Sequence, residues 1–157
     1  MTLPKKIATL LTQKKKTLSV AESCTGGLLS ACLTAIAGSS KFFRLGLVVY
    51  ANEAKEKLLS IPSLTLLSSG AVSRNVAEAM AQNVRKYLET DFGLGITGIA
   101  GPSGGTKTKP VGLVYVAVSS KNKTLSAKYL FKGTRNKIRS LAVNESLGLL
   151  LKLILSS

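Results

Sequence analysis

The pattern of predicted elements in this 157-residue chain indicates an α/β fold, a three-layer α/β/α sandwich with a mostly parallel mixed sheet. Two observations predict it. Short runs rich in β-branched residues alternate with segments of helical spacing, as in parallel strands that crossover helices join. Later in the chain, two strand-like runs flank Lys121–Lys123, which predicts a hairpin and hence an antiparallel part of the sheet. Because we find no repeat or linker, we expect one domain over residues 1–157.

The first half of the chain predicts three helices and two strands. Pro4 stands near the start of a segment with helical apolar spacing, where proline is well tolerated. Gly38 is placed to end a mostly apolar helix of small residues, and Pro62 follows a short helix rich in Glu and Lys. In order, the predicted elements are helix 3–14, strand 17–21, helix 26–37, strand 44–50 and helix 52–59.

The second half predicts two longer helices around three strands. Ser73 is placed to cap the first of these helices, because its hydroxyl can accept from a free amide of the first turn. The strand that follows runs directly into a loop full of glycine and proline. In order, the predicted elements are helix 74–87, strand 92–96, hairpin strands 111–119 and 124–131, and a terminal helix over 134–155.

The composition excludes several kinds of catalysis. Histidine is absent, which removes Ser-His-Asp and Cys-His catalysis and the usual catalytic zinc sites. The two cysteines, Cys24 and Cys32, are too few for a disulfide framework and have no metal-binding spacing. Any nucleophile must therefore be activated by a lysine, a tyrosine, a carboxylate or a helix end.

The net charge of +15 permits two interpretations. A basic patch attracts nucleic-acid phosphates, but aromatic residues for base stacking are sparse and no recognition motif is visible. The lysines are spread along the chain, which favours a solvated basic surface over a specific nucleic-acid site. Such a surface would also attract small phosphorylated ligands. The sequence leaves open whether copies of the chain form a homo-oligomer.

We expect a cytoplasmic protein that does not enter a membrane. The N-terminal residues MTLPKKIATLLTQKKK place lysines on both sides of a short apolar set, unlike a secretory signal. No run approaches the roughly 20 apolar residues that a membrane span needs. The apolar C-terminal segment is interrupted by Asn144, Glu145 and Lys152 and predicts a helix buried on one side.

The segment AESCTGG, residues 21–27, lies where the first strand should turn into a helix. Ligands of open α/β sheets collect at such strand ends, where helix N-termini present free amides. Ser23 could be a nucleophile there, with the amides of Thr25, Gly26 and Gly27 binding an oxyanion. Alternatively, a Ser or Thr merely caps the helix and the glycines permit a tight turn. Cys24 is either a rival nucleophile or a small core residue.

The segment YANEAK, residues 50–55, follows the second strand. If Lys55 is buried beside Ser23, desolvation and surrounding positive charge would lower its pKa, so that it could act as a general base. Otherwise Lys55 is a solvated surface group. Tyr50 could pass a proton between Ser23 and Lys55, hold the substrate, or only pack at the strand end.

Two further segments carry candidate binding residues. TGIAGPSGG, residues 97–105, follows the third strand and is neither a P-loop nor a dinucleotide fingerprint, because no helix follows to receive phosphates. Its glycines suggest close approach of the backbone to a ligand, or a bare loop. Arg135 and Arg139 share a face of the terminal helix and could clamp a phosphate or lie exposed. Because the segments 21–27, 50–55 and 97–105 each follow a strand, we expect them to form one shared cleft.

Together, AESCTGG, YANEAK, GAVS, TGIAGPSGG, KPVGLVYVAV and FKGTRNKIR closely resemble the CinA C-terminal domain family over about residues 2–155. The resemblance implies a three-layer α/β/α fold and an amidohydrolase that converts nicotinamide mononucleotide to nicotinate mononucleotide and ammonia. It also implies that no metal or organic cofactor is needed. The family also occurs fused behind a larger N-terminal domain, so this chain resembles the stand-alone form. Two departures are Arg74 and Asn75, where the family usually has acidic residues, and the high positive charge.

The resemblance also assigns roles to residues of this chain. By motif match, Ser23 corresponds to the nucleophile, with Lys55 and Tyr50 as its activating partners. Thr97 corresponds to the family's threonine at the start of the glycine-rich loop, and the resemblance implies that it belongs to the catalytic residues with these three. Arg135 falls near the arginine that is associated with the substrate phosphate. The remaining residues that we expect to bind substrate are Thr25, Gly26, Gly27, Asn52, Gly98, Gly101, Gly104 and Gly105. The alternative function is a nucleotide-binding or regulatory module of the same fold with weak or no catalysis.

Overall fold

The structure is a computed structural model that describes all 157 residues. Its helices are α1 (Leu3–Gln13), α2 (Leu28–Thr34), α3 (Asn52–Leu59), α4 (Ser63–Ser69), α5 (Arg74–Tyr87) and α6 (Arg135–Leu155). Its strands are β1 (Leu18–Glu22), β2 (Phe43–Val48), β3 (Phe92–Gly98), β4 (Leu113–Ser119) and β5 (Thr124–Leu130). A short 3₁₀ helix, Ser39–Lys41, precedes β2. None of these helices is both long enough and apolar enough to cross a bilayer.

The five strands form one mixed sheet in the order β2-β1-β3-β4-β5. β1 pairs in parallel with both β2 and β3, whereas β4 is antiparallel to β3 and to β5. Four of the five strands therefore run in the same direction. This confirms the predicted mostly parallel mixed sheet and its C-terminal hairpin.

Helices cover both faces of the sheet, so the predicted three-layer arrangement is confirmed. On one face, α1, α2 and α6 enclose the larger core with the bulky side chains of β3, Phe92, Leu94 and Ile96. On the other face, α5 packs on the alternate positions of β3, which are Gly93 and Gly95. A Cβ added at Gly95 would lie 2.6 Å from the carbonyl oxygen of Ala77, so glycine is what permits this close packing of α5 on the sheet.

The largest differences from the sequence prediction are in two helices, while the strand bounds differ by one or two residues. Helix α2 begins at Leu28 rather than residue 26, because Gly26 and Gly27 adopt left-handed conformations with φ of 57° and 101°. It ends at Thr34 rather than residue 37, so Gly38 does not end it directly. Helix α4 was not predicted: it is only seven residues long, and its serine-rich sequence SLTLLSS has weak helix propensity. Its one buried side chain, Leu66, joins the smaller core beneath α5.

The three parallel strands β2, β1 and β3 end at the same edge of the sheet. The segments that leave this edge lead into α2, into α3 and into the glycine-rich loop after β3. The predicted site segments therefore meet at one edge, as expected for an open α/β sheet.

Candidate active site

Ser23 and Lys55 are in direct contact in the cleft at this edge. Ser23 is the first residue after β1, and Lys55 lies in the first turns of α3. The Lys55 Nζ and the Ser23 Oγ are 3.1 Å apart. Both residues are buried, Lys55 with 1% and Ser23 with 7% of its surface exposed. The sequence alternative of a solvated surface lysine is therefore wrong.

Two backbone carbonyls fix the position of the Lys55 amine. The Nζ donates to the carbonyl oxygens of Val49 and Tyr50 at 3.0 and 3.1 Å, just before α3 begins. A carbonyl oxygen can only accept, so these two bonds require two N–H groups. In a neutral amine the remaining lone pair then faces the Ser23 hydroxyl. The arrangement thus suits transfer of the hydroxyl proton to the lysine.

Burial lowers the pKa of Lys55 below its ordinary value of 10.5, because desolvation disfavours the ammonium form. Neither of the two ion pairs of the protein, Lys16–Asp91 and Lys57–Glu53, includes it. The positive charge that the sequence analysis also considered does not contribute to the shift; the only opposing influence is the Cys24 thiol. The site therefore favours the neutral amine that a general base requires.

Glu22, the last residue of β1, holds the turn that carries Ser23. Its buried carboxylate accepts five hydrogen bonds from the start of α2. The donors are the Thr25 hydroxyl at 2.6 Å, the amides of Gly27, Leu29 and Ser30 at 3.1, 3.0 and 2.8 Å, and the Ser30 hydroxyl at 2.7 Å. A carboxylate at a helix N-terminus satisfies amides that have no partner within the helix. Glu22, rather than a Ser or Thr, therefore caps α2.

We expect Glu22→Ala to destabilise the protein by about 3 kcal/mol or more, because several buried donors would lose their acceptor at once. The free energy of unfolding in urea measures the effect. Glu22→Gln is the matched control: it keeps one carbonyl acceptor and should cost less than Glu22→Ala. Equal stability of Glu22→Ala and the wild type would contradict the proposed role of the carboxylate.

The predicted oxyanion amides require a correction. The Gly27 amide already donates to Glu22, and the Gly26 amide donates to the Ser23 carbonyl at 3.1 Å. Of the three predicted amides, only that of Thr25 donates to no protein oxygen. None of the three residues lines the cleft, so their predicted contact with substrate is not supported beyond the Thr25 amide. The Cys24 amide, which the sequence analysis did not include, is equally uncommitted, and Cys24 lines the cleft.

Arg139 in α6 holds the same turn from the opposite side. Its Nε and one terminal nitrogen donate to the carbonyls of Cys24 and Thr25 at 3.2 and 2.8 Å. The side chain is thus committed to the backbone beside the nucleophile and does not clamp a phosphate jointly with Arg135. A planar guanidinium suits this fork of two acceptors, because its donors are fixed in one plane.

The cleft has a volume of about 200 Å³. Besides Ser23 and Lys55, five other predicted site residues line it: Tyr50, Asn52, Thr97, Gly98 and Arg135. Its lining consists of Ser23, Cys24, Tyr50, Asn52, Lys55, Ala71, Val72, Thr97, Gly98, Ala100 and Arg135. The sequence analysis quoted the motif that contains Ala71 and Val72 but gave neither residue a role.

The predicted proton relay through Tyr50 is corrected by the geometry. Lys55 contacts Ser23 directly, and the Tyr50 hydroxyl instead accepts a hydrogen bond from Arg135 at 3.0 Å. Tyr50 is 58% exposed and lines the mouth of the cleft. Its link to Lys55 is the backbone carbonyl. The side chain is therefore placed to contact a ligand together with Arg135.

The glycine-rich loop contributes to the cleft only at its start. The Thr97 hydroxyl donates to the Ala71 carbonyl at 2.8 Å, joining the end of β3 to the segment before α5. Gly101 lies outside the lining, and its carbonyl accepts from Arg135 at 2.7 Å. Gly104 and Gly105 are exposed and also lie outside the lining, so their predicted contact with substrate is not supported.

Cys24 does not suit the role of rival nucleophile. Burial raises the pKa of its thiol to about 11, and the thiolate is the reactive form. Cys24 is 5% exposed and packs in the larger core. The core alternative for this residue therefore fits the structure.

The sequence matches the model of the family described as CinA C-terminal domain over residues 1–154. It is 51% identical over 141 residues to a CinA-like protein of Endomicrobium trichonymphae, covering 90% of this chain and 33% of that protein. A CinA-like protein of Geobacter sulfurreducens is 45% identical over 156 residues, covering 99% of this chain and 38% of that protein. The chain spans about a third of the length of the curated relatives it matches.

A solved structure shares both fold and sequence with this chain. The competence/damage inducible protein CihA from Agrobacterium tumefaciens superposes with a TM-score of 0.94 at 40% identity. The match covers 96% of this chain and 93% of that chain. The chain therefore belongs to the CinA C-terminal domain family.

Proposed function

We propose that this chain is an amidohydrolase that converts nicotinamide mononucleotide to nicotinate mononucleotide and ammonia. The contact that supports the proposal is the 3.1 Å approach of the Ser23 hydroxyl to the buried Lys55 amine. A hydroxyl beside an uncharged amine is the arrangement that Ser-Lys hydrolases use in place of histidine. The substrate comes from the family resemblance, whereas the reaction type is supported by the site itself.

The reaction begins with proton transfer from Ser23 to Lys55. As the Ser23 Oγ bonds to the carboxamide carbon, the Oγ–H proton moves to the neutral Lys55 amine and the carbonyl oxygen becomes an oxyanion. The uncommitted amides of Cys24 and Thr25 are the candidate donors to that oxygen. Lys55 then gives the proton to the leaving nitrogen, the C–N bond breaks, and ammonia departs from an acyl-serine ester.

Water completes the cycle. Lys55, neutral again, takes a proton from a water molecule that attacks the ester carbon, and the C–O bond to Ser23 breaks. Lys55 returns that proton to the Ser23 oxygen. The net change is one amide and one water converted to a carboxylic acid and ammonia, with the enzyme restored.

The size of the cleft indicates how a mononucleotide would bind. A complete small-molecule site usually measures roughly 300–1,000 Å³, more than the 200 Å³ found here. The carboxamide-bearing ring would enter the cleft, and the ribose and phosphate would lie at its mouth. Arg135 is exposed there and held by Tyr50 and Gly101, so its guanidinium is a suitable phosphate partner.

A panel of amides tests this proposal. We expect ammonia release from nicotinamide mononucleotide, and a value of kcat/KM about 10- to 100-fold lower for the riboside, which lacks the phosphate that Arg135 would bind. Arg135→Gln should remove most of this preference. Binding of the mononucleotide without ammonia release from any member of the panel would instead identify a nucleotide-binding module.

A further inference from the structure

A second polar groove lies at the other end of the sheet. It consists of two adjoining cavities of about 700 and 240 Å³ that share Arg85 and the hairpin residues Ser120–Lys123. We call this surface the hairpin groove. The larger cavity reaches Phe92 at the start of β3, whereas the active-site cleft includes Gly98 at the end of the same strand. Because a strand rises about 3.3 Å per residue, the two sites are roughly 20 Å apart.

The charges of the hairpin groove favour an anion. The smaller cavity is lined by no carboxylate and by four cationic side chains, those of Arg85, Lys86, Lys121 and Lys123. Its other lining residues are Gln82, Ser119, Ser120, Asn122 and Thr124, which all carry hydrogen-bonding groups. No hydrophobic residue lines it. The excess of cations and hydrogen-bond donors therefore suits a small oxyanion rather than an apolar ligand.

The larger cavity also contains two side-chain carboxylates, Glu89 and Asp91, and Asp91 is already paired with a cation. Asp91 forms an ion pair with Lys16 at 2.8 Å and accepts two further bonds from the Thr17 amide and hydroxyl at 2.9 and 3.0 Å. Glu89 is the remaining acidic residue, and it does not line the smaller cavity. The region shared by the two cavities therefore keeps its positive character.

Arg85 is the residue that distinguishes the hairpin groove from an ordinary basic surface. Its guanidinium forms no ion pair and no hydrogen bond with the protein, and its Nε is the one buried side-chain nitrogen or oxygen without a protein partner. Surface cations are normally solvated, whereas a buried donor without an acceptor is costly. An anion bound between α5 and the hairpin would supply acceptors to the terminal nitrogens of this guanidinium, which donate to no protein oxygen.

We propose that the hairpin groove is a binding site for a phosphate group, either inorganic phosphate or the phosphate monoester of a small metabolite. Arg85 is its central ligand, and Lys121 and Lys123 contribute charge from the hairpin. The site is separate from the catalytic cleft and does not depend on the proposed amidase activity.

Amide NMR during titration with inorganic phosphate tests the proposal. We expect saturable changes at residues 119–124 and at the end of α5. Arg85→Gln should weaken phosphate binding there about tenfold or more, because it removes charge-assisted hydrogen bonds. Lys123→Gln, an exposed substitution that leaves the α5 packing intact, should give a smaller loss and keeps the test informative if Arg85→Gln does not fold.

Three controls separate this site from other sources of phosphate binding. Lys6→Gln removes one exposed positive charge outside the groove and should leave the affinity unchanged; an equal loss in Lys6→Gln and Arg85→Gln would overturn the proposal. Arg135→Gln should not alter the response of the hairpin, and a response confined to the catalytic cleft would also overturn it. A parallel titration with adenosine monophosphate tests whether a phosphate monoester binds at the same residues. Tighter, steeply salt-dependent binding of a 12-base-pair DNA duplex would overturn the proposal in favour of a nucleic-acid surface.

Discussion

Ser23→Ala should reduce ammonia release from nicotinamide mononucleotide by about 10⁶-fold in kcat, the loss typical of removing a catalytic serine. The Ser23 Oγ is the atom that would form the covalent bond to the carboxamide carbon, and no second hydroxyl contacts the Lys55 amine. The affinity for the mononucleotide should change little, because Arg135 and the rest of the cleft remain. A stopped assay of ammonia, with equilibrium binding in parallel, measures both quantities.

Cys24→Ala is the matched control for this experiment. The substitution removes the neighbouring nucleophile but leaves Ser23 and Lys55 in place, so most of the activity should persist. Near-wild-type ammonia release by Ser23→Ala would contradict the covalent mechanism. If Cys24→Ala were the inactive variant instead, the thiol would be the nucleophile.

Lys55→Met should lower kcat by about 10²–10⁴-fold, the usual contribution of a general base. In the wild type, kcat should rise with pH through the lowered pKa of Lys55, because only the neutral amine can accept the Ser23 proton. The pH profiles of kcat for the two proteins provide the measurement. We expect the variant to lose this acid limb. A flat wild-type profile, or full activity in Lys55→Met, would contradict the assignment of the base.

The same lysine should make stability depend on pH. Burial places the folded pKa of Lys55 below the unfolded value of 10.5, so in that window the unfolded chain binds more protons. The free energy of unfolding should therefore rise with pH through the window in the wild type, relative to Lys55→Met. Parallel curves for the two proteins would show that the lysine is not desolvated as the structure indicates.

The sequence predicted the fold well because the periodicity of each element agreed with its environment. The alternation of bulky residues and glycines along β3 reflects a strand covered by helices on both faces. Helix α4 escaped prediction because a single leucine, Leu66, anchors it to the core. Tertiary packing, rather than local propensity, determines that helix.

The candidate site was predictable in its members but not in its hydrogen bonds. Each segment follows a parallel strand, so topology alone brings Ser23 and Lys55 to one edge of the sheet. Glu22 accepts from residues 3 to 8 positions further along the chain, and Arg139 donates to residues 114 and 115 positions earlier. The spacing of residue types in the sequence does not reveal either set of contacts. The signal for Glu22 was present: an acidic residue just before a turn into a helix can satisfy its first amides.

The cause of the lowered pKa of Lys55 determines which surface substitutions the active site tolerates. The shift comes from local exclusion of water, whereas the many exposed cations are screened over a distance of about 8 Å at physiological salt. The pKa of Lys55 therefore depends little on the net charge of the chain. Exposed lysines could therefore be exchanged for acidic residues, in homologues or in variants made for solubility, with little change in the pKa of Lys55.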